Sequence, residues 1–339
     1  MVKNTIESSP WGNLADGRSV VKYRLTHANG LALEILNYGG IIQRLEVPDR
    51  LGNSTNIVLG YDGLNTYLED QIYLGALIGR FANRIAKGTF TLNGQHYQLT
   101  KNLGSHHLHG GDAGFHQVLW QVTPEKTPNS VGLLLSHQSP HGAGGYPGNL
   151  NIQIRYRLSQ DKRLEILYQA STDRKTAVNL TQHSYFHLGG NFQQNICGHQ
   201  LQIDASSVLK TDLHGIPNGA FIPVENTPLD FRATNSLALK SKTPFSYDHC
   251  YVLTTNETKL KRVAQLSDPL SGRKMTVWTD QPGMQLYIPQ SLPKPFVPLG
   301  AICLETQNFP DAPNHSHFPS PWVSPEKPYQ AETHYGFDF

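Results

Sequence analysis

Charge is scarce in this sequence. Asp, Glu, Lys and Arg make up 16% of the 339 residues, against roughly 25% in an average globular protein. The 28 Lys and Arg nearly balance the 26 Asp and Glu, leaving a net charge of +2 with histidine neutral. No basic run provides the field that gathers nucleic acid or an anionic membrane, so neither is expected as a partner. Cysteine is also sparse: Cys197, Cys250 and Cys303 are the only three. They form no CxxC pair, so a zinc cluster is not expected. A small odd count argues against a disulfide framework and suits a reducing compartment. Nothing approaches the ~18 consecutive apolar residues of a membrane-spanning helix. The opening stretch, MVKNTIESSPWGNLADG, lacks the apolar centre of a signal peptide. The expected location is the cytoplasm.

What the chain has in quantity is alternation and turns. In NIQIRYRL, Ile152, Ile154, Tyr156 and Leu158 alternate with Asn151, Gln153, Arg155 and Arg157. A polar SQDK follows, and Leu164, Ile166 and Tyr168 alternate again, which reads as a hairpin with one buried face. TFTLNGQHYQL reads as a second hairpin, with Asn93-Gly94 supplying a type I′ turn. Further strands are expected at Leu31–Leu36, Ile41–Val47, Val131–Leu135, Leu201–Ile203, Met275–Trp278, Gln285–Ile288 and Ala301–Glu305. Thirty glycines and 22 prolines leave ample turn residues between them. Only Asp62–Glu69 suggests a helix, a short one. No repeat or linker is visible. The pattern predicts an all-β chain, a large antiparallel sandwich or barrel, with residues 1–339 as a single domain.

Chemistry concentrates in a few stretches. NLTQHSYFHLGG carries His183 and His187 four residues apart. Read as a strand, it puts Thr181, His183 and Tyr185 on one face. NLGSHHLHGG carries His106, His107 and His109, and GRFANRI carries Arg80, Asn83 and Arg84. In AICLETQNFPDAPNH, Ile302 and Leu304 would face one way, and Ala301, Cys303 and Glu305 the other. A carboxylate ending an apolar strand is costly to bury unpaired, which makes Glu305 a site candidate. A carboxylate and an imidazole on neighbouring strands can make paired proton transfers. Asn, Arg, Gln and Asp around them suit a ligand covered in hydroxyls, such as a sugar. The residues alone leave a metal reading open, because His107-x-His109 is a ligand spacing that His183 or Glu305 could complete. A histidine-rich turn without chemistry is the other reading.

These stretches, with NYGGIIQRLEVPDRLGNSTNIVLGYDGLNTYL, GGYPGNL, YDHCYVL and QPGMQLY, occur in the order found in the aldose 1-epimerase (galactose mutarotase) family. The chain resembles that family over most of its length. The resemblance implies a large antiparallel supersandwich and the interconversion of α and β anomers of free aldohexoses such as galactose and glucose. It implies no cofactor and no metal. Glu305 would be the general base at the anomeric hydroxyl, and His183 the general acid at the ring oxygen. His183 would start protonated and Glu305 ionised, with a mutual field helping to keep them so. His109, Asn83, Arg84, Asp248, Gln285 and Tyr185 would bind the sugar. Arg80 reads as structural support, and His187 as a turn neighbour without chemistry.

The chain departs from the family at His116 in AGFHQVLW, in GAGGYPGNL and in the tail. These departures bear on sugar preference and loop shape. The alternatives are an epimerase acting on a phosphorylated hexose and a non-catalytic sugar-binding module on the same fold. The sugar is the only partner implied, with the chain a monomer or a homodimer.

Overall fold

The computed structural model describes residues 3–237, 246–254 and 259–339. Its largest sheet is antiparallel and has nine strands. It begins with Gln121–Thr127, Ser130–Ser139, Leu150–Ser159 and Arg163–Thr172, then passes to the C-terminal strand Tyr329–Asp338. It continues through Lys274–Thr279, Lys261–Ser267 and Gln200–Ile203 to the short edge Asn235–Ser236. The predicted hairpin lies within this sheet, with Ile154 opposite Tyr168, Tyr156 opposite Ile166 and Leu158 opposite Leu164. Those six side chains are all buried. Burying each contributes about 1.5–3 kcal/mol, which is why the alternation fixes the register. On the other face, Arg155 pairs with Glu125 at 2.6 Å, and Arg157 pairs with Glu165.

An N-terminal five-stranded meander runs from Thr5 to Asn56. A second five-stranded sheet has the order Pro217–Pro223, Ser207–Thr211, Asp248–Val252, Gly283–Tyr287, Cys303–Gln307. Every strand pairing within these two sheets is antiparallel too.

Most expected strands are present with small shifts at their ends, and the helix is a single turn at Leu64–Leu68. The Asn93-Gly94 turn has the two positive φ angles that type I′ requires, 50° and 77°. One expectation is corrected. The stretch around His183 is not one continuous strand: Thr176–Ala177 pairs with Trp322–Val323 and Thr181–Gln182 with Leu77–Ile78, Asn179 and Phe186 make isolated bridges, and residues 176–188 are buried throughout. Neighbouring elements cover both of its faces, so alternation there carries no inside–outside signal. The strand expected to end in Glu305 runs Cys303–Gln307 and is likewise buried on both faces, yet the faces around it differ. Ile302 and Leu304 join the main core, and Ala301 and Cys303 join a second cluster with Tyr185.

Candidate active site

Three neighbouring strands bring three polar groups together. Gln285 lies directly opposite Glu305 on one side and Cys250 on the other, and Asp248 lies opposite Tyr287. Gln285 donates from Nε2 to Asp248 Oδ1 at 2.5 Å. Arg84 reaches the other oxygen of Asp248 at 3.1 Å, and its guanidinium also donates to Asn83 Oδ1 at 3.3 Å.

Asn83 and His109 are locked reciprocally. The amide of His109 donates to the Asn83 carbonyl, and the amide of Asn83 donates to His109 Nδ1, both at 3.1 Å. His183 is held through its backbone: its amide donates to the Ala76 carbonyl at 2.9 Å, and its carbonyl accepts from Gly75 at 3.0 Å. Tyr185 stacks on the His183 ring at 5.1 Å and donates its hydroxyl to the Ile72 carbonyl.

These contacts assemble one cleft. All eight residues expected from the sequence line it: Asn83, Arg84, His109, His183, Tyr185, Asp248, Gln285 and Glu305. Gln71, Ile72, Tyr73, Leu108 and Tyr287 complete the wall. Tyr287 was findable, because it lies two residues beyond Gln285 on the same strand and so shares its face. Tyr73 and Gln71 lie in a turn with no motif, and nothing in the sequence marks them. Tyr73 packs edge-on to His109 at 4.6 Å and to His116 at 4.8 Å. Tyr73, Asn83 and His109 all have left-handed backbones, with φ of 57°, 67° and 53°. Each costs about 1–3 kcal/mol, and such residues collect where surrounding structure must aim a side chain.

At the centre, His183 Nε2 lies 3.5 Å from Glu305 Oε1, with only 4% and 2% of the two residues exposed. Burial pushes the Glu305 carboxyl well above its ordinary range. Asp248 pushes in the same direction, and Arg84 opposes. Burial lowers His183 to about 4. In the free cleft burial favours the neutral form of each group. Glu305 Oε2, Gln285 Oε1 and Arg84 Nε are buried without a hydrogen-bond partner among the described residues. Such groups are ready to receive a polar ligand.

The histidine-rich turn divides its labour. His107 faces away from the cleft, between the Thr100 carbonyl and the Tyr146 hydroxyl, so His107 and His109 do not converge on one ligand position. Ligand atoms of His109, His183 and Glu305 do lie within 4.8 Å of one another. The tautomer of His109 works against ligation. Its Nδ1 accepts a backbone N–H, so the neutral ring carries its hydrogen on Nε2. That form donates to an oxygen; it does not coordinate a metal.

Arg80 is buried away from the cleft and donates to the carbonyls of Ser139, Pro140, Pro147 and Gly148 and to the Ser139 hydroxyl. It supports structure, as its sequence context indicates. His187 is buried elsewhere, edge-on to His199 at 5.1 Å. His116 lies behind Tyr73, and burial lowers it to about 4.

Comparison with known proteins agrees with this geometry. The aldose 1-epimerase family model matches residues 21–336. Galactose mutarotase of Sus scrofa is 38% identical over 343 residues, covering 98% of each chain. Aldose 1-epimerase of Escherichia coli K12 is 31% identical, covering 95% of this chain and 96% of that one. Among solved structures, an aldose epimerase homologue from C. elegans superposes with a TM-score of 0.85 at 28% identity, covering 92% of this chain and 96% of that one.

Proposed function

The chain belongs to the aldose 1-epimerase family and is an isomerase of that class, and on that premise we propose that Glu305 and His183 carry its proton transfers. Glu305 takes the proton of the anomeric hydroxyl, and His183 delivers one to the ring oxygen. The C1–O5 bond breaks and leaves the aldehyde. Rotation about C1–C2 presents the other carbonyl face. On closure, His183 recovers the proton from the O5 hydroxyl, and Glu305 returns one to the new anomeric oxygen. No proton is gained or lost over the cycle.

The observation that carries this reading is the 3.5 Å approach of His183 Nε2 to Glu305 Oε1 within a cleft walled by sugar-binding side-chain types. A hemiacetal is already labile, so two placed proton-transfer groups suffice. The neutral pair of the free cleft and the ion pair the reaction uses contain the same single shared proton. Sugar hydroxyls donating to the carboxylate favour the ionised form of Glu305. His109, with its hydrogen on Nε2, donates to a sugar oxygen near the reacting carbon. Asn83, Arg84, Asp248 and Gln285 hold the remaining hydroxyls, and Tyr185 holds the His183 ring.

The substrate is a free aldohexose such as galactose or glucose. A phosphorylated sugar is disfavoured, because Arg84 is the one Lys or Arg among the described lining residues, and Asp248 already engages it. A silent binding module has no use for the carboxyl–imidazole pair. A single-domain organisation is supported by a hydrophobic core that draws on side chains from Leu25 to Phe337. Cytoplasmic location is supported by three unpaired thiols. No helix among the described residues is long and apolar enough to cross a membrane.

The test is polarimetry. Fresh α-D-galactose or α-D-glucose is dissolved with and without chelator-treated protein. A faster approach to the same final rotation is expected, and an unchanged rate with both sugars would overturn the reading.

A further inference from the structure

The hairpin beside the cleft ends in the turn Asp212–Ile216, which no motif marks. Its backbone approaches Arg84 closely. A β-carbon added at Gly215 would lie 3.0 Å from Cζ, 3.1 Å from Nε and 3.3 Å from Nη1 of Arg84. The main chain of the turn is therefore laid against the guanidinium, and a side chain at 215 would push it by a few tenths of an ångström. Gly215 also has φ of 74°, a left-handed conformation that other residues adopt with strain.

The turn is well anchored. Asp212 Oδ1 accepts the amides of His214 at 2.8 Å and Ile216 at 2.9 Å, and the Asp212 carbonyl accepts the Gly215 amide at 3.1 Å. The His214 ring lies 5.5 Å from that of His106, which belongs to the segment that ends in His109. The turn thus touches two segments that carry cleft residues, Arg84 and the stretch that ends in His109. Arg84, pressed from this side, points its fork at Asp248 and Asn83.

We propose that Gly215 is a positioning residue for sugar binding: the turn it closes presses on Arg84 and sets the orientation in which the guanidinium meets the substrate hydroxyls. The inference rests on the reading of Arg84 as a sugar contact. A guanidinium fork is effective only when its angle is right, because its donors are coplanar and fixed. A methyl at position 215 would displace it by a few tenths of an ångström, enough to spoil its angle to Asp248 and the sugar, while leaving His183 and Glu305 in place.

The experiment compares Gly215→Ala, Gly219→Ala, Asp212→Ala, Arg84→Ala, Arg84→Lys and Gly215→Ala/Arg84→Lys by steady-state anomerisation kinetics. Gly219 is the control for hairpin strain. It also has a left-handed backbone, but its β-carbon would face His317 and His315. Gly215→Ala should raise KM about tenfold, the effect of losing one charge-assisted hydrogen bond, with kcat within about threefold. Gly219→Ala should keep the wild-type KM. Asp212→Ala loosens the turn at an exposed position and adds no atom near Arg84. It should raise KM in the same direction, and it answers the question if Gly215→Ala does not fold. On the Arg84→Lys background the Gly215 change should add little, since the flat fork it displaces is gone.

An unchanged KM in both turn variants would overturn the proposal. So would an equal rise in Gly219→Ala, or full additivity in the double variant. A wild-type KM in Arg84→Ala would instead overturn the underlying assignment of Arg84.

Discussion

His183 Nε2 and Glu305 Oε1 face each other at 3.5 Å in the wall of the cleft, and almost nothing of either residue is exposed. The imidazole reaches this position from a segment pinned to Gly75 and Ala76, and the carboxyl from the edge strand of a five-stranded sheet. Burial outweighs the charges that would hold either group ionised, Arg84 for the carboxyl and Asp248 for the imidazole. His183 Nδ1 has the neutral thiol of Cys303 at 3.7 Å, where a carboxylate would have held the ring protonated. The pair is therefore free to pass a proton in either direction, as a reversible isomerisation requires.

Glu305→Gln should lower kcat/KM by about 10²–10⁴, the usual contribution of a placed general base. It should not lower stability. Because the folded-state pKa of Glu305 is raised, the native protein binds its proton more strongly than the unfolded chain. Wild-type stability therefore falls as pH rises from about 4.5 through the higher folded value. Glutamine removes that loss. Thermal denaturation at pH 8 should give a melting temperature at or above that of the wild type, and a clear decrease would contradict the sign.

His183 sets the acid limb of the pH–rate profile. With its pKa lowered to about 4, it gains a second proton for the pair only near that pH, and no base then remains. Activity should persist well below pH 6.5, where a solvated imidazole titrates. Stability should also decline as pH falls from 6.5 towards 4. In that window the unfolded chain binds protons that buried His183, His109, His116 and His199 do not. Polarimetry corrected for the spontaneous reaction, together with melting curves at the same pH values, checks both limbs.

Arg80→Lys should destabilise the fold by about 2–3 kcal/mol, because an ammonium cannot serve carbonyls from both Ser139-Pro140 and Pro147-Gly148 at once. The folded variant should keep kcat/KM within about threefold, a margin of under 1 kcal/mol. Urea denaturation gives the first number, and kinetics at low temperature the second. A large loss of kcat without loss of stability would move Arg80 into the active site.

Chelation should leave the rate unchanged, since His109 presents a hydrogen at Nε2. Added Zn²⁺ should inhibit weakly or not at all at neutral pH. A rate that collapses with EDTA and returns with one metal would show that the His109–Asn83 bond gives way to coordination.

Local pattern carried much of this protein. Alternation in NIQIRYRL and its partner determined strands, register and inward face, because a strand's side chains obey a period of two wherever one face is wet. The ordered blocks around His109, His183 and Glu305 named the groups that meet in the cleft. Where both faces are covered, as around Thr181 and in Cys303–Gln307, alternation no longer separated inside from outside, and only packing decided. Tertiary structure also decided which ring nitrogen of His109 carries hydrogen, and that the turn at Gly215 lies against Arg84. It set the protonation that burial favours for Glu305 and His183. A pKa sums the desolvation and fields of everything packed around a group. Those neighbours come from segments far apart in the chain, so the sequence supplied the two residues but not the proton between them.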